Sequence, residues 1–285
     1  MKDSKKYKEG SLSEFDLNWK KRPESLYNHW SPSFANNQIR LAFQSHFKLF
    51  RSLEKIKSNN KSFIELGAGR GSLSAYYSQA GYDVTLLDTS EEILNKAKLI
   101  FNNFNLKANY IVANAEKTEL SSDQYDIVAS IGLLEHFKDP VPLFNEAIRL
   151  ANKNAEIIFY VVPDRVPPIQ NIFDYLNSIL SFFKGFKPVS PKEDVFRNDY
   201  VSSYYIRILK ELNGITDIKS FGVYPLPMIS PSRDFPFTLN NKLLEFIITN
   251  IFRLILYIRA ISLSRNPWIC KEKNGQAFVL HFRKS

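Results

Sequence analysis

The sequence predicts an α/β protein built on a doubly wound, mostly parallel seven-stranded sheet, with an N-terminal extension and a helical insertion after strand 5. Three observations predict it. Short apolar runs alternate strictly with helical patterns between residues 62 and 163, and continuous apolar strands are those covered by helices on both faces. The first of these runs passes straight into a glycine-rich turn, "ELGAGRG". The chain has 285 residues, 44% hydrophobic and 24% charged, enough to bury a large core of ordinary globular composition.

Taken in order, residues 1–33 read as an irregular extension in which Trp19, Tyr27 and Trp30 are candidate anchors. Residues 34–285 read as the main domain, opening with a helix over 34–56. Strands are expected at 62–66, 83–88, 109–113, 125–130 and 157–162, with helices near 72–80, 91–104 and 141–151 between them. In "TSEE", Thr89 stands at an N-cap position with Glu92 three residues on, which reads as a capping box for the third helix. After Pro163 the rhythm breaks. "PDRVPPIQ" is a loop, and apolar residues then recur at helical spacing from Ile172 to Phe183, which makes 164–200 a helical insertion rich in Phe and Tyr. Alternation resumes with a helix at 202–212, a stop at Asn213–Gly214, a strand at 215–223, a long apolar helix at 239–263 and a closing strand at 276–282.

Composition limits the function classes. One cysteine, Cys270, excludes an intramolecular disulfide. The charged N-terminus precedes no apolar run, and no stretch of about 18 apolar residues occurs, so a cytoplasmic protein is expected. The net charge of +9 raises nucleic acid or an anionic membrane as partners, although its charges are scattered apart from an excess in the first two dozen residues.

Gly67, Gly69 and Gly71 sit on the strand-to-helix turn, where glycine permits positive φ and lets a ligand approach the backbone. A dinucleotide fingerprint, G-x-G-x-x-G, would need a glycine where Ser72 stands. Glu65, two residues before the first glycine, would be a poor neighbour for a pyrophosphate but suits a cationic group. S-adenosylmethionine carries both an ammonium and a sulfonium, so charge favours it. Arg70 reads as a solvent-facing loop residue.

On these residues the chain resembles the class I S-adenosylmethionine-dependent methyltransferases, a Rossmann-like family, over about residues 60–163. "ELGAGRG" is similar to their first motif; the resemblance implies that Glu65, Gly67, Ala68, Gly69 and Gly71 hold the methionyl part. "LLDTS" ends the second strand with Asp88, which implies a carboxylate on the ribose hydroxyls, with Thr89 beside it. "VANAEK" places Asn114 and Ala115 where the family contacts adenine, although aspartate is commoner there than this asparagine. "YDIVASIGLLEHFKDP" resembles the fourth strand and its following loop, and adds Ile131 to the implied cofactor contacts. The segments at 202–223 and 276–282 fit the family's last two strands.

The same loop narrows the acceptor. Methylases of base exocyclic amines carry an Asn/Asp-Pro-Pro-aromatic stretch here, and "IGLLEH" lacks it. "LLEH" resembles the small-molecule, quinone and lipid branch. Relatives that bind a divalent metal use Glu-x-x-Glu-His; Gly132 replaces the first glutamate, so no metal is expected. His136 is the candidate base for a hydroxyl acceptor, since imidazole titrates near neutrality; alternatively Glu135 and His136 only hold the loop. The remaining histidines, His29, His46 and His281, read as structural or exposed.

The expected activity is therefore methyl transfer to a small-molecule or lipid-linked acceptor, with RNA methylation and a non-catalytic binding role as alternatives and no DNA partner. The 239–263 helix has one narrow polar stripe of Lys242, Glu245, Thr249 and Arg253. Such a helix is expected to be core, packed on the sheet edge and the helical pattern at 172–183. The alternative is peripheral contact with the inner face of a membrane through Lys242, Arg253, Arg259 and Arg265.

Overall fold

A computed structural model describes residues 29–55, 61–164, 175, 196–224, 242–263 and 266–285. In chain order the elements are α1 (Gln38–Leu53), β1 (Ser62–Leu66), α2 (Ser72–Gln79), β2 (Asp83–Asp88), α3 (Glu91–Asn103), β3 (Asn109–Val112), β4 (Tyr125–Ile131), α4 (Val141–Leu150) and β5 (Ala151–Val161). They continue with α5 (Ser202–Glu211), β6 (Ile215–Val223), α6 (Lys242–Leu263), β7 (Ile269–Cys270) and β8 (Ala277–Lys284). The anchors Trp19 and Tyr27 and nearly all of the 164–200 insertion lie outside the described residues.

The strands form one sheet in the order β3-β2-β1-β4-β5-β8-β6-β7. The first five are parallel and β8 is antiparallel to both β5 and β6. The sheet therefore has eight strands rather than seven. The extra one, β7, is two residues long and pairs antiparallel with β6 at Gly222 and Val223, too short to leave a pattern in the sequence. The strand order changes direction between β1 and β4. Crossovers leave to opposite sides there, and ligands bind in the crevice outside the strand ends.

Alternate residues along each strand feed two cores. One face packs Phe63, Val84, Leu86 and Ile127 against α1, α2 and α3, with Trp30 sealing its edge. The other packs Ile64, Leu66, Leu87 and Val128 against α4 and α5. One buried polar pair braces the sheet: the His281 ring nitrogen lies 2.7 Å from Glu156 across β5 and β8. His46, buried between Phe43 and Tyr160, is held neutral with its pKa lowered to about 4 by burial.

Two local expectations are corrected. Ser90, not Thr89, caps α3: the Ser90 hydroxyl accepts from the Ile93 N–H at 3.3 Å, while Thr89 is exposed. The helix starts one residue later because Asp88 already holds the Ser90 N–H at 3.0 Å. The second correction concerns α6. The middle of its polar stripe faces the protein, with Lys242 exposed at its end: Glu245 accepts from the Gln38 backbone N–H at 2.7 Å and from its side-chain amide at 2.9 Å, capping the start of α1. Ile248, Phe252 and Leu256 join a small apolar cluster with Ala35 and Leu41, with half-buried Ile255 packed against it. Most of the remaining apolar side chains of α6, Leu243 to Ile261, are exposed, so α6 is not a core helix on all sides.

Gly71 shows how tightly the first turn fits. It has φ +67, and a Cβ there would lie 2.3 Å from the buried Leu86 Cδ2 and 3.2 Å from Phe101. Gly71→Ala should therefore lower unfolding free energy by roughly 2–4 kcal/mol, from left-handed strain plus overpacking. Gly214→Ala, at φ +78 with open space around it, should cost only about 1 kcal/mol. Urea denaturation of both variants checks the difference; equal losses would mean that packing at Gly71 contributes nothing.

Candidate active site

The site lies where β1, β2, β4 and β5 end. Gly67, Gly69 and Gly71 all adopt positive φ, at 65°, 52° and 67°, so the chain leaves β1 and enters α2 through a turn closed to most side chains. The turn is tied at three points. Ala68 donates its N–H to the Leu87 carbonyl at 2.9 Å, Gly71 to the Ala68 carbonyl at 2.8 Å, and Gly69 to Asp88 Oδ2 at 2.8 Å. Nothing lies within 4 Å of where a Gly69 Cβ would stand, so a ligand can rest against the backbone at that point.

Asp88 spends one oxygen on the Gly69 N–H and the other on the Ser90 N–H. Glu65 is buried, and its Oε2 accepts from both the backbone N–H and the hydroxyl of Ser74, at 3.0 and 2.5 Å. The acid of the motif thus anchors the first turn of α2, a partner that sequence reading missed. Burial raises its pKa to about 7, with the Ser74 hydrogen bonds opposing and nearby Asp88 adding to the rise. A cation brought close would favour its ionised form. Arg70 is buried rather than solvent-facing, because the left-handed residues on either side fold the turn back on itself.

Along the rim, Asn114 is exposed, and its Oδ1 accepts from the Glu116 N–H at 2.9 Å, which shapes a tight loop over buried Ala115. Ile131 is half-buried at the end of β4. Next to it, Gly132 has φ +71, so a glutamate at that position would carry left-handed strain. The structure brings the glycine turn, Asp88, the Asn114 loop and the β4 end to one edge of the sheet.

The loop after β4 forms a short 3₁₀ turn over Leu134–His136 and is clamped by a segment more than 60 residues further on. His136 Nδ1 lies 2.6 Å from the Phe196 carbonyl. A carbonyl only accepts, so Nδ1 carries the proton, and the neutral ring has its lone pair on Nε2. Asn198 donates its N–H to the Glu135 carbonyl at 2.9 Å and its amide to the Phe137 carbonyl at 3.2 Å, and its own carbonyl accepts from Asp164 at 2.8 Å. Asn198 Oδ1 also takes the Tyr205 hydroxyl at 3.0 Å, tying α5 to the same loop. No local pattern flagged Phe196 or Asn198.

Glu135 is fully buried beneath this clamp, and among the described residues neither side-chain oxygen makes a well-aligned hydrogen bond. Burial raises its pKa to about 7; the N–H groups of Glu135 and Val162 and the charge of Arg197 offset only part of that rise.

Comparison with known proteins places this geometry. Residues 64–159 match the family described as methyltransferase domain. The chain is 32% identical over 124 residues to the ubiquinone biosynthesis O-methyltransferase of Hydrogenovibrio crunogenus, covering 43% of this chain and 48% of that one. It is 30% identical over 170 residues to the enzyme of the same name from Colwellia psychrerythraea, covering 58% and 66%. The chain thus spans about half the length of the first of these relatives. The solved structure of an S-adenosylmethionine-dependent methyltransferase from Thermotoga maritima shares the fold, with a TM-score of 0.53 at 13% identity over 96% of this chain and 99% of that one. Residues 64–159 thus carry a methyltransferase domain, and the chain is similar to class I S-adenosylmethionine-dependent methyltransferases of the small-molecule branch.

Glu135 gives the site a pH signature. Its folded pKa of about 7 lies above the ordinary 4.5, so the native state holds the proton more tightly than the unfolded chain. Its contribution is fully present below about pH 4.5 and is lost as pH rises to about 7, on the order of 3 kcal/mol. Glu135→Gln should flatten the fall in stability between pH 5 and pH 7, measured by urea unfolding across that range. An unchanged slope would mean that Glu135 is solvated in solution.

Proposed function

We propose that the protein transfers a methyl group from S-adenosylmethionine to a hydroxyl oxygen of a small, partly apolar acceptor, with His136 as the base. One observation carries this reading: the Phe196 carbonyl fixes the proton on His136 Nδ1 and leaves Nε2 as the acceptor nitrogen. Bound S-adenosylmethionine would supply an electrophilic methyl carbon on sulfur. The acceptor oxygen bonds to that carbon as the carbon–sulfur bond breaks, His136 Nε2 takes the hydroxyl proton, and S-adenosylhomocysteine leaves. The relatives named as ubiquinone biosynthesis O-methyltransferases support oxygen as the methylated atom.

On this reading the chain's own residues mainly position the donor. Gly67, Ala68, Gly69 and Gly71 admit its methionyl part against the backbone. Glu65 offers negative potential beside the ammonium, and the Asp88 carboxylate accepts from the ribose hydroxyls, with Thr89 beside it. Asn114, Ala115 and Ile131 line the adenine end. The Asp88 carboxylate at this edge has the wrong sign for a phosphate backbone, which weighs against an RNA acceptor.

Two measurements test the proposal. His136→Ala should lower kcat about 10²-fold or more in labelled-methyl transfer to a hydroxylated aromatic acceptor, with little change in donor affinity. Joint loss of donor binding and thermal stability would instead make His136 a loop-holding residue. Asp88→Ala should weaken S-adenosylmethionine binding about tenfold or more by calorimetry, since charge-assisted bonds to hydroxyls contribute about 1.5–3 kcal/mol each. An unchanged dissociation constant would leave Asp88 as a tie for Gly69 alone.

A further inference from the structure

The most unusual surface of the molecule is the outward side of α6. At about 100° per residue, the exposed side chains cover an arc of about 160° that contains no charged residue. Ile247, Ile251, Leu254, Ile258 and Ile261 run down its centre, each between 46% and 62% exposed. Five turns of aliphatic surface exceed the patch of a few hundred Å² that an ordinary soluble monomer leaves in water. Amphipathic helices normally turn their apolar stripe to the core; α6 buries only part of its apolar surface, and its inward side is also held by Glu245 to Gln38 and by Arg253 to the Ala35 carbonyl at 2.6 Å.

The residues at the margin identify the occupant. Along one edge of the arc stand Phe246 and Tyr257, with Phe34 beside them; all three are exposed. Lys242 and Arg253 follow immediately, the Arg253 guanidinium lying 3.5 Å over the Phe34 ring. Arg259 stands beyond the opposite edge, 3.5 Å over the Tyr224 ring. Aliphatic centre, aromatic margin, then cations is the order in which a bilayer interface passes from acyl chains to headgroups. A chain with net charge +9 is drawn to anionic lipid and repelled by its own copies. No helix among the described residues is long and apolar enough to cross a membrane, so contact through α6 is lateral.

We propose that the outward face of α6 docks on an anionic lipid bilayer, with the helix lying flat in the interface and Glu245 and Thr249 kept on the protein. Docking of this kind combines apolar burial with attraction between the flanking cations and lipid headgroups, so it depends on both hydrophobic area and salt.

The full chain should cosediment at low salt with vesicles of mixed phosphatidylglycerol and phosphatidylcholine, less with phosphatidylcholine alone, and progressively less as salt rises. Leu254→Glu should reduce partitioning about tenfold or more, and the milder Ile251→Ser by less, both with an unchanged urea midpoint because the sites are exposed. Sedimentation velocity without lipid reports the competing occupant. The proposal is overturned if the wild-type chain stays in the supernatant with anionic vesicles at low salt. Binding indifferent to Leu254→Glu would overturn it equally, as would a dimer that Leu254→Glu dissociates and that ignores vesicles. Donor affinity measured on the same samples separates failure here from failure of the proposed transfer reaction.

Discussion

The hydrogen bond from the Gly69 N–H to Asp88 Oδ2, 2.8 Å long, joins the ends of two neighbouring strands, and the candidate site is assembled around it. β1 and β2 run parallel and in register, Leu66 beside Leu87, so their C-terminal ends emerge together. Three left-handed residues in five then reverse the chain into α2, and a reversal that sharp leaves backbone N–H groups in need of acceptors. Asp88 takes one and Glu65, through Ser74, takes another. The two acids that give the motif its negative potential are therefore also the groups that hold its shape. Substituting either one changes the field and the scaffold together.

The second half of the site is held in a different way. The 3₁₀ turn at Leu134–His136 has few local bonds, and its orientation is set by a returning segment that contributes the Phe196 carbonyl to His136 and Asn198 to Glu135 and Phe137. Asp164, which leaves β5, and Tyr205, on α5, close the same knot through Asn198. The tautomer of His136 thus depends on chain that follows β5 by some 35 residues.

Burial works against ionisation at Glu65 and Glu135, and both have pKa values near 7. Elsewhere the fold avoids that conflict: Glu146 is pulled down to about 2, first by its hydrogen bond to Arg149. Buried carboxylates with raised pKa values cluster at functional sites more often than in scaffolds, because a scaffold gains nothing from the desolvation cost. The contrast within one molecule separates the β4 loop from the acid pairs that only brace the sheet.

The sequence by itself determined the elements and their faces. Period-2 and period-3.6 patterns report which side of a strand or helix is apolar, and both are local quantities. The glycine turn was equally legible, since left-handed φ selects glycine wherever it falls, and Asp88 followed from its place at a strand end. Tertiary structure decided the rest. It inserted β8 between β5 and β6, buried Arg70 inside the turn, moved the α3 cap from Thr89 to Ser90 and brought Asn198 to Glu135. It also turned α6 so that Glu245 in its polar stripe met Gln38 and much of its apolar side met solvent. A periodic pattern shows that a helix has two sides. Which side meets the protein is set by the partner that satisfies its polar groups, and Glu245 found two N–H donors on Gln38, some 200 residues away in the chain.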